Sequence, residues 1–116
     1  EKKSEAQFGR IGGSPIILGG LDRSLIDAKI RKNMSQIRSC YQREHTKNPN
    51  LRGKIKVKFV IAKDGSVSKA SIDGSTMGTS GQPVEQCLVD EFKGFTFPKP
   101  NGGIVIVKYP FLFTGG

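Results

Sequence analysis

Much of what an active site is built from is scarce in these 116 residues. There is one histidine, His45, and there are two cysteines, Cys40 and Cys87. A zinc site made of the three would lack a fourth ligand and any CxxC or HxxxH element. A Cys40–His45 nucleophile pair fails on geometry, because five residues along a helix separate two side chains by about 140° in azimuth. The acids Asp64, Asp73, Asp90 and Glu91 show no paired arrangement, and the glycine-rich stretches lack the Lys-Ser/Thr of a phosphate loop. No pattern here supports catalysis, and the chain reads as non-enzymatic, without cofactor or metal. No apolar run approaches the roughly eighteen residues of a membrane span, and no secretory n-region and h-region open the chain. Glu1 in place of Met reads as the start of an excised piece, with any address signal or anchor upstream.

Acidic residues are also few, 10 against 19 Lys plus Arg, for a net charge of +9. The excess is local. Residues 22–63 hold twelve basic and three acidic side chains, whereas residues 64–116 hold four and five. One contiguous third of the chain therefore carries a cationic face, which is a different thing from a basic tail.

Five of the fifteen glycines fall in the first twenty residues, so 1–16 reads as a linker or leader and 17–116 as the folded domain. Within the first twenty residues only Ile16, Ile17 and Leu18 form an apolar patch, suited to docking as a short strand. After Asp22, a good N-cap, Ile26, Ile30, Met34, Ile37 and Tyr41 recur at spacings of four, four, three and four, which predicts one amphipathic helix to about residue 44–46. Pro49 ends it. Residues 54–61 alternate, with Ile55, Val57, Phe59 and Ile61 on one face and Lys54, Lys56 and Lys58 on the other. Asp64-Gly65 then predicts a hairpin into a return strand at 67–72. Pro83 opens a second helix with Val84, Cys87, Leu88, Phe92 and Phe95 on its apolar side. Past Pro98, Pro100 and Gly102-Gly103, a final strand from Ile104 to Phe113 puts Val105, Val107, Tyr109, Phe111 and Phe113 on one face.

The expected fold is α+β, two helices on one face of a small three-stranded antiparallel sheet. A right-handed crossover through the second helix places the last strand parallel to the second, with the first between them, so Ile104–Phe113 becomes an edge. Pro110 agrees, since an edge tolerates a missing donor.

Three features stand out as functional candidates. Cys40 and Cys87 sit on helices covering the same sheet face. They read either as two buried thiols or as a disulfide worth about 4 kcal/mol, and the even count with no cysteine left over favours the bridge. A bridge implies an oxidising compartment. The residues Lys29, Arg31, Lys32, Arg38, Lys54, Lys56 and Lys58 form a basic set, read either as a solvated face or as a surface for a polyanion such as nucleic acid or a cell-envelope polymer. Without interleaved aromatics it is a poor platform for stacking bases, so nucleic acid is the weaker version. The alternating final strand, comprising Ile104, Val105, Ile106, Val107, Lys108, Tyr109, Phe111 and Phe113, is the sharper candidate. Such an edge is met by a partner peptide adding as a strand, by a second copy, or by the patch Ile16–Leu18.

The strings ILGGLDRSLIDAKI, QIRSCYQRE, KNPNLRGKIKVKFVIAKDGSVSKA, VEQC and FPKPNGGIVIVKYPFLF, in this order and spacing, resemble the AgmX/PglI-type C-terminal domain of gliding-motility proteins of the GltJ and GltG type. That family is similar to the TonB C-terminal domain. The likeness runs from Ile17 to Phe113, and departs from the pattern at His45, where an aliphatic residue is expected, and at Gly94. It implies a periplasmic module at the end of an inner-membrane-anchored protein, tied to motor components there and reaching an outer-membrane partner. It further implies that a partner segment adds to the final strand and transmits force derived from the proton gradient, and that Cys40 and Cys87 form a periplasmic disulfide.

Overall fold

The computed structural model describes residues 8–115. Two short strands come first, β1 (Arg10–Ile11) and β2 (Ile16–Gly20), then helices α1 (Arg23–Lys32) and α2 (Met34–Lys47), the hairpin of β3 (Gly53–Ile61) and β4 (Val67–Ser75), a 3-10 turn at Gly78–Gly81, α3 (Gln82–Lys93) and β5 (Asn101–Phe113). The result is an α+β fold with three helices and one antiparallel sheet of five strands.

The expected long helix is two helices that share one stripe. Asn33 breaks it, with φ −107° and ψ 13°, while its side-chain amide donates to the Lys29 carbonyl at 2.8 Å. A short amide side chain that competes for a helical carbonyl is what disfavours asparagine within a helix. The phase survives the break, because Ile26, Ile30, Met34, Ile37 and Tyr41 are all buried. That is why apolar spacing alone does not reveal it.

Alternation does its expected work in the sheet. Ile55, Val57, Phe59, Ile61, Val105, Val107, Tyr109, Phe111 and Phe113 are buried against the helices. Phe59 stacks on Phe97 at 5.5 Å and lies 5.0 Å from Phe92, and Tyr41 stacks on Phe113 at 5.2 Å. The hairpin turns at Gly65, where φ is +93° and a Cβ would come within 2.1 Å of the Phe97 carbonyl oxygen, so only glycine fits.

β3 lies between β4 and β5, the expected order for the three main strands. The sheet nevertheless has five strands where three were expected, because the N-terminal segment adds two. Both β1 and β2 pair with the outer side of β5. Pairing thus begins at Arg10, ahead of the domain boundary expected at residue 17; residues 1–7 of the expected linker lie outside the described residues. Among the described residues no helix is long and apolar enough to cross a membrane.

Candidate functional site

The final strand has two flanks of different construction. Its inner flank pairs with β3 in nine consecutive positions, from Gly53 opposite Phe113 to Ile61 opposite Val105, with no slip. Its outer flank, expected to be open, is covered by residues 9–20, here termed the strap. Arg10 and Ile11 face Leu112 and Phe111, and the Gly12 N–H donates to the Pro110 carbonyl at 3.0 Å. Ile16, Ile17 and Leu18 then face Lys108, Val107 and Ile106, which leaves Gly13, Ser14 and Pro15 opposite the single residue Tyr109. A further slip follows Leu18, so that Gly20 faces Asn101.

Proline explains the first interruption. In an antiparallel strand the N–H and C=O of one residue point to the same side. The Pro110 carbonyl points at the strap, and therefore so does its missing donor. The proline that suggested an edge sits in a strand paired on both sides, at the point where the outer pairing breaks. The edge expectation for Ile104, Val105, Ile106, Val107, Lys108, Tyr109, Phe111 and Phe113 is corrected in one respect: these residues form a strand whose outer side is occupied by the chain's own N-terminal segment. Of them, Val105, Val107, Tyr109, Phe111 and Phe113 point into the core and Ile104 outward.

The side chains of the strap alternate, so Ile11 and Ile17 pack against the core while Ile16 and Leu18 stand in solvent. Gly9 is pinned where a Cβ would meet the Phe113 ring at 2.9 Å, and its carbonyl accepts from Arg38 Nε at 2.8 Å.

Cys40 and Cys87 are bonded to each other, S–S 2.05 Å with Cα atoms 5.5 Å apart, across a sequence separation of 47. The bridge staples α2 to α3 over the sheet. Both sulfurs are thereby spent, and His45 packs instead among rings, 5.4 Å from Tyr41 and 5.9 Å from Phe8. Among the described residues no group of three or more His, Cys, Asp or Glu is placed to hold a metal ion.

No family model, curated protein or solved structure matches this chain.

The seven residues of the basic set do not form one surface. Lys29, Arg31, Lys32 and Arg38 belong to the helical layer, where Lys29 Nζ lies 6.0 Å from the Phe95 ring centroid. Lys54, Lys56 and Lys58 alternate with the buried residues of β3 and so occupy the opposite face of the sheet. The expected single set therefore lies on two sides of a folded layer. It also left out Lys69 and Lys108, though the registers put Lys108 opposite Lys58 and Lys69 opposite Val60 on the same face; their signal was each strand's alternation, but only the strand order shows that they share it.

One buried polar pair anchors the final strand to the helices. Tyr109 Oη donates to Asp27 Oδ1 at 2.5 Å, and Arg23 Nε lies 3.2 Å from Asp27 Oδ2. Burial first, and the Asp27 carboxylate second, push the Tyr109 phenol well above its ordinary range. Burial likewise raises Tyr41, whose hydroxyl donates to the Leu51 carbonyl.

Proposed function

We propose that this chain is a binding module of the TonB C-terminal type, close to the AgmX/PglI-type domains, that takes a segment of an outer-membrane partner as an added strand on β5 and turns over no substrate. In this reading it belongs to an inner-membrane-anchored periplasmic protein and passes on force derived from the proton gradient. One observation supports the reading: the outer side of β5 already accepts an extended segment of its own chain in antiparallel pairing, the geometry an added partner strand would need. The disulfide is compatible with an oxidising compartment. A partner strand would replace the strap, exchanging a split, twice-slipped set of pairs for a continuous one.

The opposite edge is a poorer acceptor. β4 carries two register irregularities against β3, and its outer groove of about 520 Å³ is lined by the polar Gln82, Glu85 and Gln86 as well as Ile72, Pro83 and Val89. Bulges and charge are how sheets blunt an edge against pairing.

The test is an NMR titration of the full chain, and of a chain lacking residues 1–20, with peptides from periplasmic segments of candidate outer-membrane partners. The expected result is shifts and gained exchange protection at Ile104, Ile106, Lys108 and Leu112, with tighter binding once the strap is gone. Saturable binding that leaves these amides unmoved while shifting β4 would place the acceptor edge elsewhere and sink the assignment to β5.

A further inference from the structure

The sheet has helices on one face only, and the other face combines two features that stability alone does not explain. The first is charge. Lys54, Lys56 and Lys58 of β3 share this face with Lys108 of β5 and Lys69 of β4, and Lys58 stands directly opposite Lys108. Like charges directly opposite in a sheet are destabilising. Among the described residues, the carboxylate Asp73 comes to 3.5 Å from Lys108.

The second feature is apolar exposure. Ile16, Leu18 and Ile104 are each more than half exposed, at 51, 59 and 55%, and all three belong to this face. Leu18, Ile106 and Val60 form one cross-strand row, and Ile16 leads from it to Lys108. The face therefore has an aliphatic end, built jointly by the strap and the final strand and flanked by Lys69 opposite Val60, and a lysine end of Lys54, Lys56, Lys58 and Lys108. Contiguous exposed apolar side chains beside charge mark an interaction surface.

We propose that this open face docks on an anionic lipid bilayer, its lysines against headgroup phosphates and Ile16, Leu18 and Ile104 in the interfacial layer. Charge complementarity requires an anionic occupant. A second copy is disfavoured because it would bring two lysine fields together. A soluble polyanion gains nothing from the aliphatic row, and the face offers no aromatic ring for bases to stack on. Arg10, opposite Leu112 in the row that ends on Lys54, adds a further cation to the lysine end. An interfacial layer takes both ends of the face at once. The proposal does not depend on strand addition at β5.

Sedimentation of the full chain with vesicles tests it, comparing pure phosphatidylcholine with a mixture containing about one-third phosphatidylglycerol. Each lysine near such a surface is worth about fivefold in partitioning. The chain is expected to partition onto the anionic vesicles, less as salt rises. The pair Lys56→Glu and Lys58→Glu should weaken partitioning by at least about 25-fold, and Ile104→Ser should weaken what survives at high salt. Lys32→Glu, in the helical layer, should weaken it far less, and circular dichroism verifies that each variant folds. No partitioning onto anionic vesicles would overturn the proposal. So would equal loss from Lys32→Glu and Lys56→Glu, or binding to soluble polyglutamate as tight as to vesicles and indifferent to Ile104→Ser, which would assign the face to an acidic polymer or protein.

Discussion

The two flanks of β5 are made by the same strand but not to the same standard. Toward β3, nine pairs run in one register over a buried aromatic layer, and the helices covering them are tied by a disulfide. Toward the strap, pairing breaks at Gly13–Pro15 and again at Gly19, and half of the aliphatic side chains face water. Backbone pairing contributes little net stability without burial behind it, so local opening free energies differ within one sheet. The inner flank is where the fold is held; the outer flank is where the proposed exchange of one strand for another would take place.

The largest expected effect comes from breaking the inner side. Replacing Cys40 and Cys87 with alanine should cost about 4 kcal/mol in denaturant unfolding, since the bridge closes a loop spanning 47 positions. Strap amides should exchange as before, provided the weakened body still opens less readily than the strap. If their protection falls in step with global stability, the two flanks open together and the distinction between them fails.

Native-state hydrogen exchange sharpens the same contrast in the unmodified chain. Outer-flank amides are expected to open at a free energy at least about 3 kcal/mol below those of Val57 and Phe59. Equal protection on both sides would make displacement of the strap by a partner too costly to be its function.

The next effect concerns the tether between the two layers. Tyr109→Phe removes the hydroxyl that serves Asp27 and leaves a buried carboxylate with Arg23 alone, at a cost of about 1–3 kcal/mol. The pH dependence has a definite sign. The folded state holds the Tyr109 proton above the ordinary value of 10.0, so above that pH the unfolded chain releases a proton that the folded chain keeps. Stability is therefore full below pH 10 and declines as pH rises beyond it. Denaturant midpoints against pH should show that decline, smaller in Tyr109→Phe; Tyr41, also raised, sustains the remainder.

Particular residues show what was legible in advance. Alternation located β3, β4 and β5 and their buried faces because each residue's side is set by the pleat, whatever its neighbours are. The register of apolar spacing likewise found both helical faces, yet could not register Asn33, whose effect is on one backbone angle pair and not on phase. The strap was legible only as an option, since glycines and three aliphatic residues carry no information about which edge they meet. Pro110 was read for the right property and the wrong consequence: a missing donor is compatible with an open edge and equally with a partner that skips one position. The basic set divided because charge adjacent in sequence becomes opposite in space once a layer of core lies between.

The smallest effect tests that reading of Pro110 directly. Ile11 faces Phe111 and Gly12 donates to the Pro110 carbonyl, so the reciprocal bond of this antiparallel pair would run from residue 110 to the Gly12 carbonyl. Proline cannot make it. Pro110→Val restores the donor in a residue that strands favour, and one more hydrogen bond of about 1 kcal/mol should slow exchange at Ile106, Lys108 and Leu112 by about fivefold. Lost proline stiffness in the unfolded chain opposes this in global stability, by about 0.4–1 kcal/mol, but not in local opening of the strap. The two measurements should therefore diverge, with local protection rising and the denaturant midpoint flat or lower. Should protection at those three amides stay where it was, the break at Gly13–Pro15 belongs to the strap's own glycine and proline, and the outer flank's weakness was written there and not into β5.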